Sequence, residues 1–341
     1  MTRTIVVTGA SGYVAKHVIA EALRRGFRVR GTLRDMGKAD RIATIMQDWV
    51  GDAASKLEFF KADLLSDDGW NEVMQGADAL LHTAMIVYTK EPRDPEPVMH
   101  AAVDGTKRAL QAVVDAGIGR VVMTSSIAAV GYGHGDPKGE LHLNEDNWTN
   151  PEGIGHRWAY ARAKTRAERA AWDLAASADV AFTTICPSMI IGPISDPDMS
   201  VSVQVVQQPL AGMIPAMPPT GFSAIDVRDL AEMHLNALDD DRFAGQRVLA
   251  AGEYILFRDI ADILREAYPD RKIVKRMAPL WVLKLFKGLI PELSQIAADL
   301  ETRRIYSRER GEALLGRPFT SAKQSVLDTA ESLVRFGLDK G

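Results

Sequence analysis

The chain of 341 residues has a formal net charge of −4, and 46% of its residues are hydrophobic and 25% are charged. This composition is typical of a globular protein and excludes a disordered or fibrous chain. Because 41 Lys+Arg nearly balance 45 Asp+Glu, the chain has no general attraction to nucleic acid or to an anionic membrane surface, and neither partner is predicted.

Cysteine content and the lengths of apolar runs indicate the cellular compartment that the chain fits. Its single cysteine, Cys186, cannot form an internal disulfide, which fits a reducing, cytoplasmic location. The apolar residues at 5–7 are too few for a signal-peptide core, so we expect them to form the first strand. The stretch nearest to a membrane span, Pro279–Leu289, is interrupted by Lys284 and Lys287, and a packed amphipathic helix is predicted there instead.

Short β-branched and apolar runs alternate with segments of helical spacing through the first half of the chain. The predicted strands are Thr4–Thr8, Arg28–Leu33, Leu57–Lys61, Ala79–Thr83, Arg120–Thr124 and Ala181–Ile185. The predicted helices between them are Val14–Arg25, Met99–Ala116 and His156–Ala176. A strand followed by a helix, repeated, predicts an α/β fold with a doubly wound parallel (Rossmann) sheet, covered by helices on both faces.

The character of the chain changes from Ile194 to Ile225, a stretch with five prolines, three methionines and no lysine or arginine. We expect this stretch to be irregular and apolar. Asp226 is predicted to cap a helix that continues to Leu238, and Gln246–Ala251 is predicted to return to the sheet as a further strand. The remainder is predicted to be a smaller, mainly helical lobe. The sheet domain then comprises residues 1–188 and 226–253, and the lobe comprises residues 189–225 and 254–341.

A glycine motif follows the first predicted strand and opens the first helix. Glycines at 9 and 12 permit a tight turn and let backbone amides approach a pyrophosphate at the start of the helix. The strand–turn–helix context is the one that a dinucleotide site requires, so the sheet domain is predicted to bind a dinucleotide and the lobe to bind a substrate. The predicted contacts in this motif are Gly9, Ala10, Ser11, Gly12, Tyr13 and Val14.

The end of the second predicted strand distinguishes between the two nicotinamide dinucleotides. An NAD site usually offers a carboxylate to the ribose 2′-hydroxyl there, whereas this chain has Arg34, with Lys38 one helical turn later. Both cations can pair with a 2′-phosphate, so NADP(H) is the predicted cofactor. A solvated arginine is the alternative, and the neighbouring Asp35 keeps that alternative open.

Two other strand ends supply further predicted contacts with the cofactor. Asp63 and Leu64 follow the third strand, where Asp63 either borders the adenine or starts the next helix. Thr83 and Ala84 end the fourth strand beside the predicted crevice, and we expect their backbone to touch the cofactor. His82, in the same strand, is interpreted as a core histidine rather than a catalyst.

Tyr160 and Lys164 lie four residues apart in a predicted helix, so both side chains project from one face. An ammonium beside a phenol stabilises the phenolate, which makes tyrosine a better proton donor and acceptor at neutral pH. Ser126, at the end of the fifth strand, would face the same crevice and is predicted to polarise a carbonyl group. The pair Tyr268 and Lys272 has the same spacing, but the proline after the tyrosine disfavours a helix through it.

Seven segments spread over nearly the whole chain carry a family resemblance. They are Thr8–Ala15, Arg34 with Lys38, Val122–Val130, Tyr160–Trp172, Ile225–Ala231, Gly245–Arg247 and Leu314–Gly316. Together they resemble the extended short-chain dehydrogenases/reductases, in the branch of dihydroflavonol reductases, cinnamoyl-CoA reductases and microbial methylglyoxal, aldehyde and ketone reductases. The resemblance implies a catalytic triad of Ser126, Tyr160 and Lys164. It also implies a 2′-phosphate clamp of Arg34 and Lys38, and a nicotinamide bordered by Pro187 and the residues after it, including Ile190.

The predicted substrate pocket is apolar. The stretch Ile194–Val227 contains no lysine or arginine, which a site for a sugar-nucleotide diphosphate would need. We therefore expect an uncharged, fairly apolar aldehyde or ketone, which NADPH reduces to an alcohol. The expected pocket residues are Met85, Ile86, Val87, Ile127, Met189, Met213, Met217 and Phe222, with Gly131 widening the wall beside Ile127.

Two other functions stay open on the sequence alone. One is an NAD-linked, hydroxysteroid-type dehydrogenase that works in the oxidative direction, and the other is a redox sensor that binds NADP without turnover. Cofactor preference would distinguish the first, and the complete triad argues against the second. No group of His, Asp and Glu has metal-ligand spacing, so no metal is predicted. The expected partner is a small-molecule carbonyl substrate, and the chain is expected to be a monomer or homodimer.

Overall fold

The structure, a computed structural model, describes residues 2–86, 94, 96–135, 137–154, 158–279, 281, 300 and 302–340. The strands in these ranges are β1 (Thr4–Val7), β2 (Arg28–Leu33), β3 (Leu57–Lys61), β4 (Ala79–His82), β5 (Arg120–Thr124), β6 (Gly139–Leu143), β7 (Ala181–Pro187), β8 (Met189–Ile191), β9 (Gly221–Asp226), β10 (Arg247–Ala250), β11 (Tyr254–Leu256) and β12 (Thr302–Tyr306). The α-helices are α1 (Tyr13–Arg24), α2 (Ala39–Val50), α3 (Trp70–Met74), α4 (Glu96–Asp115), α5 (Ala159–Ser177), α6 (Gln204–Leu210), α7 (Val227–Asp239), α8 (Phe257–Ala267), α9 (Glu309–Leu315) and α10 (Ala322–Arg335).

Seven parallel strands form the central sheet, in the order β3–β2–β1–β4–β5–β7–β10. The chain starts in the middle of the sheet, moves to one edge, and then crosses back over β1 to build the other half. The strand order therefore reverses between β1 and β4, and the crevice at their carboxyl ends is where open α/β sheets bind ligands. The predicted doubly wound fold is confirmed, and the predicted strands agree with the observed ones to within two residues at each end.

Successive side chains of the buried strands point to opposite faces of the sheet and form a hydrophobic core on each face. In β1, Ile5 and Val7 enter the core under α1, α2 and α7, whereas Val6 enters the opposite core under α3, α4 and α5. In β4, Leu81 and Leu80 divide in the same way. Successive side chains of a strand point to opposite faces, so a strand covered on both sides is apolar throughout. The helices thereby fix the strand ends that form the crevice.

The lobe contains a second, three-stranded sheet in the order β11–β9–β8. β9 pairs in parallel with β8 and antiparallel with β11, and this sheet packs with α6, α8 and α10 around a separate core. The expectation that Ile194–Ile225 is irregular is therefore wrong at α6 and β9. β9 forms through pairing with strands that lie outside this stretch, a contact that local periodicity does not contain.

A third, two-stranded sheet joins β6 to β12 in parallel register. It brings Tyr306 against Gly131, where an added Cβ would collide with the Tyr306 hydroxyl. The space beside Gly131 is thus filled by this side chain, so the expectation that Gly131 widens the substrate pocket is wrong.

None of the helices in the described ranges is long and apolar enough to cross a membrane. Of the segment Pro279–Leu289, for which an amphipathic helix was expected, only Pro279 and Trp281 are described. That expectation lies outside the described residues.

Candidate active site

The turn between β1 and α1, which we call the phosphate loop (residues 8–12), has the shape that a pyrophosphate requires. Gly9 has a φ of +71°, and a Cβ at this position would lie 3.1 Å from Cβ of Ala84, so a glycine is needed there. Gly12 precedes the first turn of α1, and its amide donates to the Gly9 carbonyl at 2.8 Å. The first amides of α1 consequently face the crevice without a Cβ in front of them, so a dinucleotide pyrophosphate fits this loop.

Thr8 attaches the phosphate loop to the end of β4. Its Oγ1 accepts from the backbone amides of Thr83 (3.1 Å) and Ala84 (3.0 Å), and Thr83 Oγ1 donates to the Thr8 carbonyl at 2.5 Å. Thr8 Oγ1 also lies 3.0 Å from His82 Nδ1. Burial, with a contribution from the charge of Lys164, lowers the pKa of His82 to about 3. A neutral, buried histidine agrees with its interpretation as a core residue.

The residues that follow β2 carry exposed cations. The guanidinium of Arg34 has no hydrogen-bond or ion-pair partner among the described residues, so it is free to meet a phosphate. The structure gives no ion pair between Asp35 and Arg34, and the Asp35 carboxylate accepts from the amide of Gly37 at 2.9 Å and caps the short helix Met36–Lys38. This cap is a structural reason for an acid at position 35.

An acidic loop of the lobe, residues 195–198, reaches the same region. Asp196 is buried and pairs with Lys16 at 2.8 Å and with Arg41 at 3.1 Å. Burial lowers the pKa of Lys16. Asp198 lies 3.3 Å from Nζ of Lys38, one of the two cations expected to hold a 2′-phosphate. The sequence analysis missed this loop, because its partners lie about 160 to 180 residues away along the chain.

Asp63 lies in a turn that follows β3, and Leu64 packs into the core. Asp63 accepts from the amide of Leu65 at 3.0 Å, and the next helix begins only at Trp70. The alternative in which Asp63 starts that helix is therefore wrong, and the contact with adenine stays a prediction. Leu64 packs against Gly105 of α4, and its carbonyl accepts from the guanidinium of Arg108. The predicted cofactor contact of Leu64 stays a prediction.

Two residues of the predicted triad, Ser126 and Lys164, lie at the carboxyl end of β5, and the third, Tyr160, lies one helical turn before Lys164. Lys164 is only 5% exposed, and its Nζ donates to the carbonyl of Thr124 at 3.2 Å, two residues before Ser126. Ser126 is buried, and its Oγ accepts from the amide of Ala128 at 3.1 Å, so its hydroxyl hydrogen remains available for donation. Tyr160, in the first turn of α5, is 42% exposed, and α5 packs against the short helix that follows Ser126.

The start of α5 is set by an unusual backbone conformation. Trp158 has a φ of +69°, which is rare for a bulky residue, and its ring lies 4.6 Å from that of Tyr132. Strain of this kind persists only where surrounding contacts hold it, and it is concentrated at functional sites. It lies two residues before Tyr160, a feature that the sequence pattern did not indicate.

Comparison with known proteins agrees with this geometry. Residues 5–252 match the model of the NAD dependent epimerase/dehydratase family. The chain belongs to this family. It is 29% identical to cinnamoyl-CoA reductase CAD2 of Medicago truncatula over 334 residues, which are 96% of this chain and 95% of the relative. It is 28% identical to tetraketide alpha-pyrone reductase 1 of Arabidopsis thaliana over 338 residues, 98% and 96% of the two chains.

Among solved structures, the fold is similar to a crystal structure of Gre2 from Candida albicans in complex with NADPH. The TM-score is 0.79 at 26% sequence identity, covering 98% of this chain and 99% of that one. The resemblance to extended reductases is thereby confirmed. The epimerase/dehydratase match extends over nearly all of the central sheet, from β1 to β10, and therefore includes the phosphate loop and all three triad positions.

The expected substrate residues of this epimerase/dehydratase family member lie in different surroundings. Met85 packs beside Ala163 of α5, and Ile127 directly follows Ser126. Met189 and Ile190 lie on β8, after the buried Pro187 that ends β7, and Ile86 is partly buried against the core under α4 and α5. Phe222 packs edge-to-face on Phe257 at 5.1 Å, Met217 is buried in the lobe core, and Met213 is 56% exposed. Val87 lies outside the described residues.

Met217 is therefore a packing residue of the lobe. Ile127 directly follows Ser126, and Met85 packs beside Ala163, the residue before Lys164, so both remain pocket candidates. The contacts expected of Met189, Met213 and Phe222 stay predictions.

Proposed function

We propose that the chain is an NADPH-dependent reductase that acts on the carbonyl group of an uncharged, fairly apolar aldehyde or ketone and yields an alcohol. The observation that carries the proposal is the position of Lys164. Its buried ammonium is anchored on the carbonyl of Thr124, beside Ser126, and lies one helical turn from the exposed Tyr160. The relatives described above are reductases by name, and the Gre2 structure contains NADPH.

The phosphate loop and the cations after β2 would hold the cofactor. The amides at the start of α1 would bind the pyrophosphate, and Arg34 with Lys38 would pair with the 2′-phosphate. Bound NADPH supplies the hydride. The proposed preference for NADPH over NADH is supported by two cations, and by an Asp35 carboxylate that is already used in capping.

The chain's own residues handle the proton. The Tyr160 hydroxyl donates its proton to the carbonyl oxygen as charge develops there, and the Ser126 hydroxyl donates a hydrogen bond to the same oxygen. The amide of Ala128 occupies a lone pair of Ser126 Oγ, which orients the hydroxyl as a donor. The ammonium of Lys164 stabilises the phenolate that Tyr160 becomes.

An apolar substrate is supported by the sequence of the lobe. The residues 194–227 carry no cation, and both acids of the acidic loop are already paired with cations of the sheet domain. No unpaired charge of this segment is then left to select a charged substrate. A carbonyl compound would be held by apolar contact and by its oxygen at Ser126 and Tyr160.

The test is a comparison of two tyrosine variants. Tyr160→Phe removes the proton donor, so kcat for NADPH-dependent reduction should fall by about 10²- to 10⁴-fold while the Kd for NADPH is unchanged. Tyr268→Phe is the matched control, since Tyr268 also has a lysine four residues later but lies outside the crevice-forming elements. A panel of aromatic aldehydes, α-diketones, ketoesters and dihydroflavonols serves as substrates. Retention of most activity in Tyr160→Phe would reject the mechanism.

A further inference from the structure

A buried ion pair lies behind the triad and takes no part in the proposed mechanism. Glu168 lies on α5, four residues after Lys164, and its side chain is 0% exposed. Arg247 of β10, also buried, donates from Nε to Glu168 Oε1 at 2.7 Å. Taking two charges out of water is so costly that such pairs add little net stability compared with apolar side chains. Its value to the molecule therefore lies in its geometry.

The carboxylate of Glu168 joins α5, which carries Tyr160 and Lys164, to the end of β5, which is followed by Ser126. Ser125, the residue before Ser126, donates from Oγ to Glu168 Oε2 at 2.5 Å. Thr184 of β7 donates from Oγ1 to Oε1 at 2.9 Å. One carboxylate thus holds α5, β5 and β7 together, and it fixes the helix that carries Tyr160 against the strand end that carries Ser126.

Arg247 extends this connection to the segment after the serine. Its guanidinium donates to the carbonyl oxygens of Ala129 (3.5 Å), Glu145 (2.7 Å) and Asn147 (2.7 Å). It also lies over the ring of Trp148, with its central carbon 3.6 Å from the ring centroid. Ala129 ends the short helix that follows the serine, so the guanidinium fixes that helix from behind. Several rigid donors in one plane are a property of arginine that lysine lacks.

We propose that Glu168 and Arg247 are positioning residues that set the separation between the hydroxyls of Ser126 and Tyr160. The proposal rests on the proposed reductase function. A misplacement of reacting groups by about 1 Å costs roughly 100-fold in rate. Loss of the pair therefore lowers kcat, while the KM for the carbonyl substrate and the Kd for NADPH change little.

The first experiment uses Glu168→Gln, which keeps the shape of the side chain and removes its charge. The expected kcat is about 10- to 100-fold lower, with the Kd for NADPH, measured by fluorescence titration, within about twofold of the original. NADPH deuterated at the transferred position should give a larger isotope effect on kcat, because hydride transfer becomes slower relative to product release. An unchanged kcat and isotope effect would overturn the proposal.

The second experiment separates positioning from stability. The double variant Glu168→Gln/Arg247→Met leaves no unpaired buried charge, so its melting temperature should recover from that of the single variant. Its kcat should stay low, because the three carbonyl contacts of the guanidinium are lost. If kcat instead recovers together with the melting temperature, the pair is structural only.

A control variant tests another ion pair with a buried carboxylate. Asp339→Asn breaks the pair between Asp339 and Arg271, far along the chain from the triad, and should leave kcat unchanged. Tyr160→Phe distinguishes the two proposals: if it is inactive while Glu168→Gln is fully active, the reductase function stands and the positioning role fails.

Discussion

The two ends of the crevice are built in opposite ways. At the proposed catalytic end, which comprises Ser126, Tyr160 and Lys164, the serine and lysine are buried, and the fully buried Glu168 lies behind them. At the proposed ribose end, which comprises Arg34 and Lys38, the cations follow a strand and are exposed. Proton transfer needs atoms held to within fractions of an ångström, whereas recognition of a phosphate needs charge that can adjust. The difference teaches that chemistry and cofactor choice can be altered separately.

The energies of the ion pairs at the two ends differ accordingly. Breaking a buried pair such as Glu168–Arg247 costs about 3–5 kcal/mol, because a charge is left without a partner. An exposed pair such as Lys38–Asp198, with side chains 45% and 55% exposed, contributes about 1 kcal/mol or less. We therefore expect substitutions at the catalytic end to have large effects on rate, and substitutions at the ribose end to have smaller effects on affinity.

Of the four substitutions that test this contrast, Lys164→Met should have the largest effect. In Lys164→Met the phenolate of Tyr160 loses its stabilising charge, although the apolar stem still fills the buried space, so kcat should fall by about 100-fold or more. Steady-state kinetics at saturating NADPH measure it, and Lys272→Met, from the second Tyr/Lys pair, is the control. If Lys164→Met folds and its kcat is close to that of the original chain, Lys164 is not needed for catalysis, and the contrast between the two ends of the crevice fails.

The contrast between the ends also explains how much the sequence could predict. Strand alternation and the glycine motif depend on neighbouring residues, and they predicted the central sheet and the position of the phosphate loop. Tyr160 and Lys164 could be predicted as a functional pair because their spacing is local. Glu168 continues the same spacing on a helix whose buried residues include Ala163, Ala167 and Ala171, so a buried charge could in principle have been predicted there.

Its partner could not be found in the same way. Arg247 lies 79 residues away along the chain, and Asp198 lies 160 residues from Lys38. Such contacts depend on how the lobe and the last strand pack on the sheet, and no local periodicity encodes them. The same reason explains why β9 and the β6–β12 sheet were missed.

The second-largest effect is expected at Arg34. Arg34→Ala removes a charge-assisted hydrogen bond to the 2′-phosphate, so the ratio of kcat/KM for NADPH to that for NADH should fall by about 10- to 100-fold. Most of the change should appear in the KM for NADPH. Arg28→Ala, which changes an exposed arginine at the opposite end of β2, is the matched control. An unchanged ratio would mean that Arg34 is only a solvated side chain.

The buried His82, which contacts the phosphate loop, should make the fold sensitive to acid. Burial lowers the pKa of His82 to about 3, whereas an unfolded histidine takes up its proton near pH 6.5. Below pH 6.5 the unfolded state binds more protons than the folded state. The contribution of His82 to the free energy of unfolding is therefore fully present above pH 6.5, and it falls by about 1.4 kcal/mol per pH unit as the pH drops from 6.5 toward 3.

Replacing this histidine should reduce the slope. His82→Asn keeps a polar atom near Thr8 and should lower the dependence of the unfolding free energy on pH by about 1.4 kcal/mol per unit between pH 6.5 and 5, measured by urea denaturation. His17 and His234, whose pKa burial lowers to about 4, maintain a residual slope. Equal slopes for His82→Asn and the original chain would contradict the assignment.

The smallest effect is expected at the ribose end, in Asp198→Asn. The carboxylate of Asp198 lies 3.3 Å from Lys38 Nζ, in the position where it competes with a 2′-phosphate for the ammonium. Removing its charge should tighten binding of 2′,5′-ADP by about two- to threefold, an effect limited to that range because the pair is exposed. Binding of 5′-AMP, which has no 2′-phosphate, is the control ligand and should not change.

Salt concentration decides whether this gain is electrostatic. At about 1 M salt the screening length falls to roughly 3 Å, so the difference between Asp198→Asn and the original chain should disappear. A gain that persists at high salt would mean that competition between charges is not its cause. Weaker binding of 2′,5′-ADP by the variant would mean that Asp198 orients Lys38 toward the phosphate instead of competing for it. The ribose end would then be a fixed site like the catalytic end, and the contrast between an adjustable and a rigid end of the crevice would no longer hold.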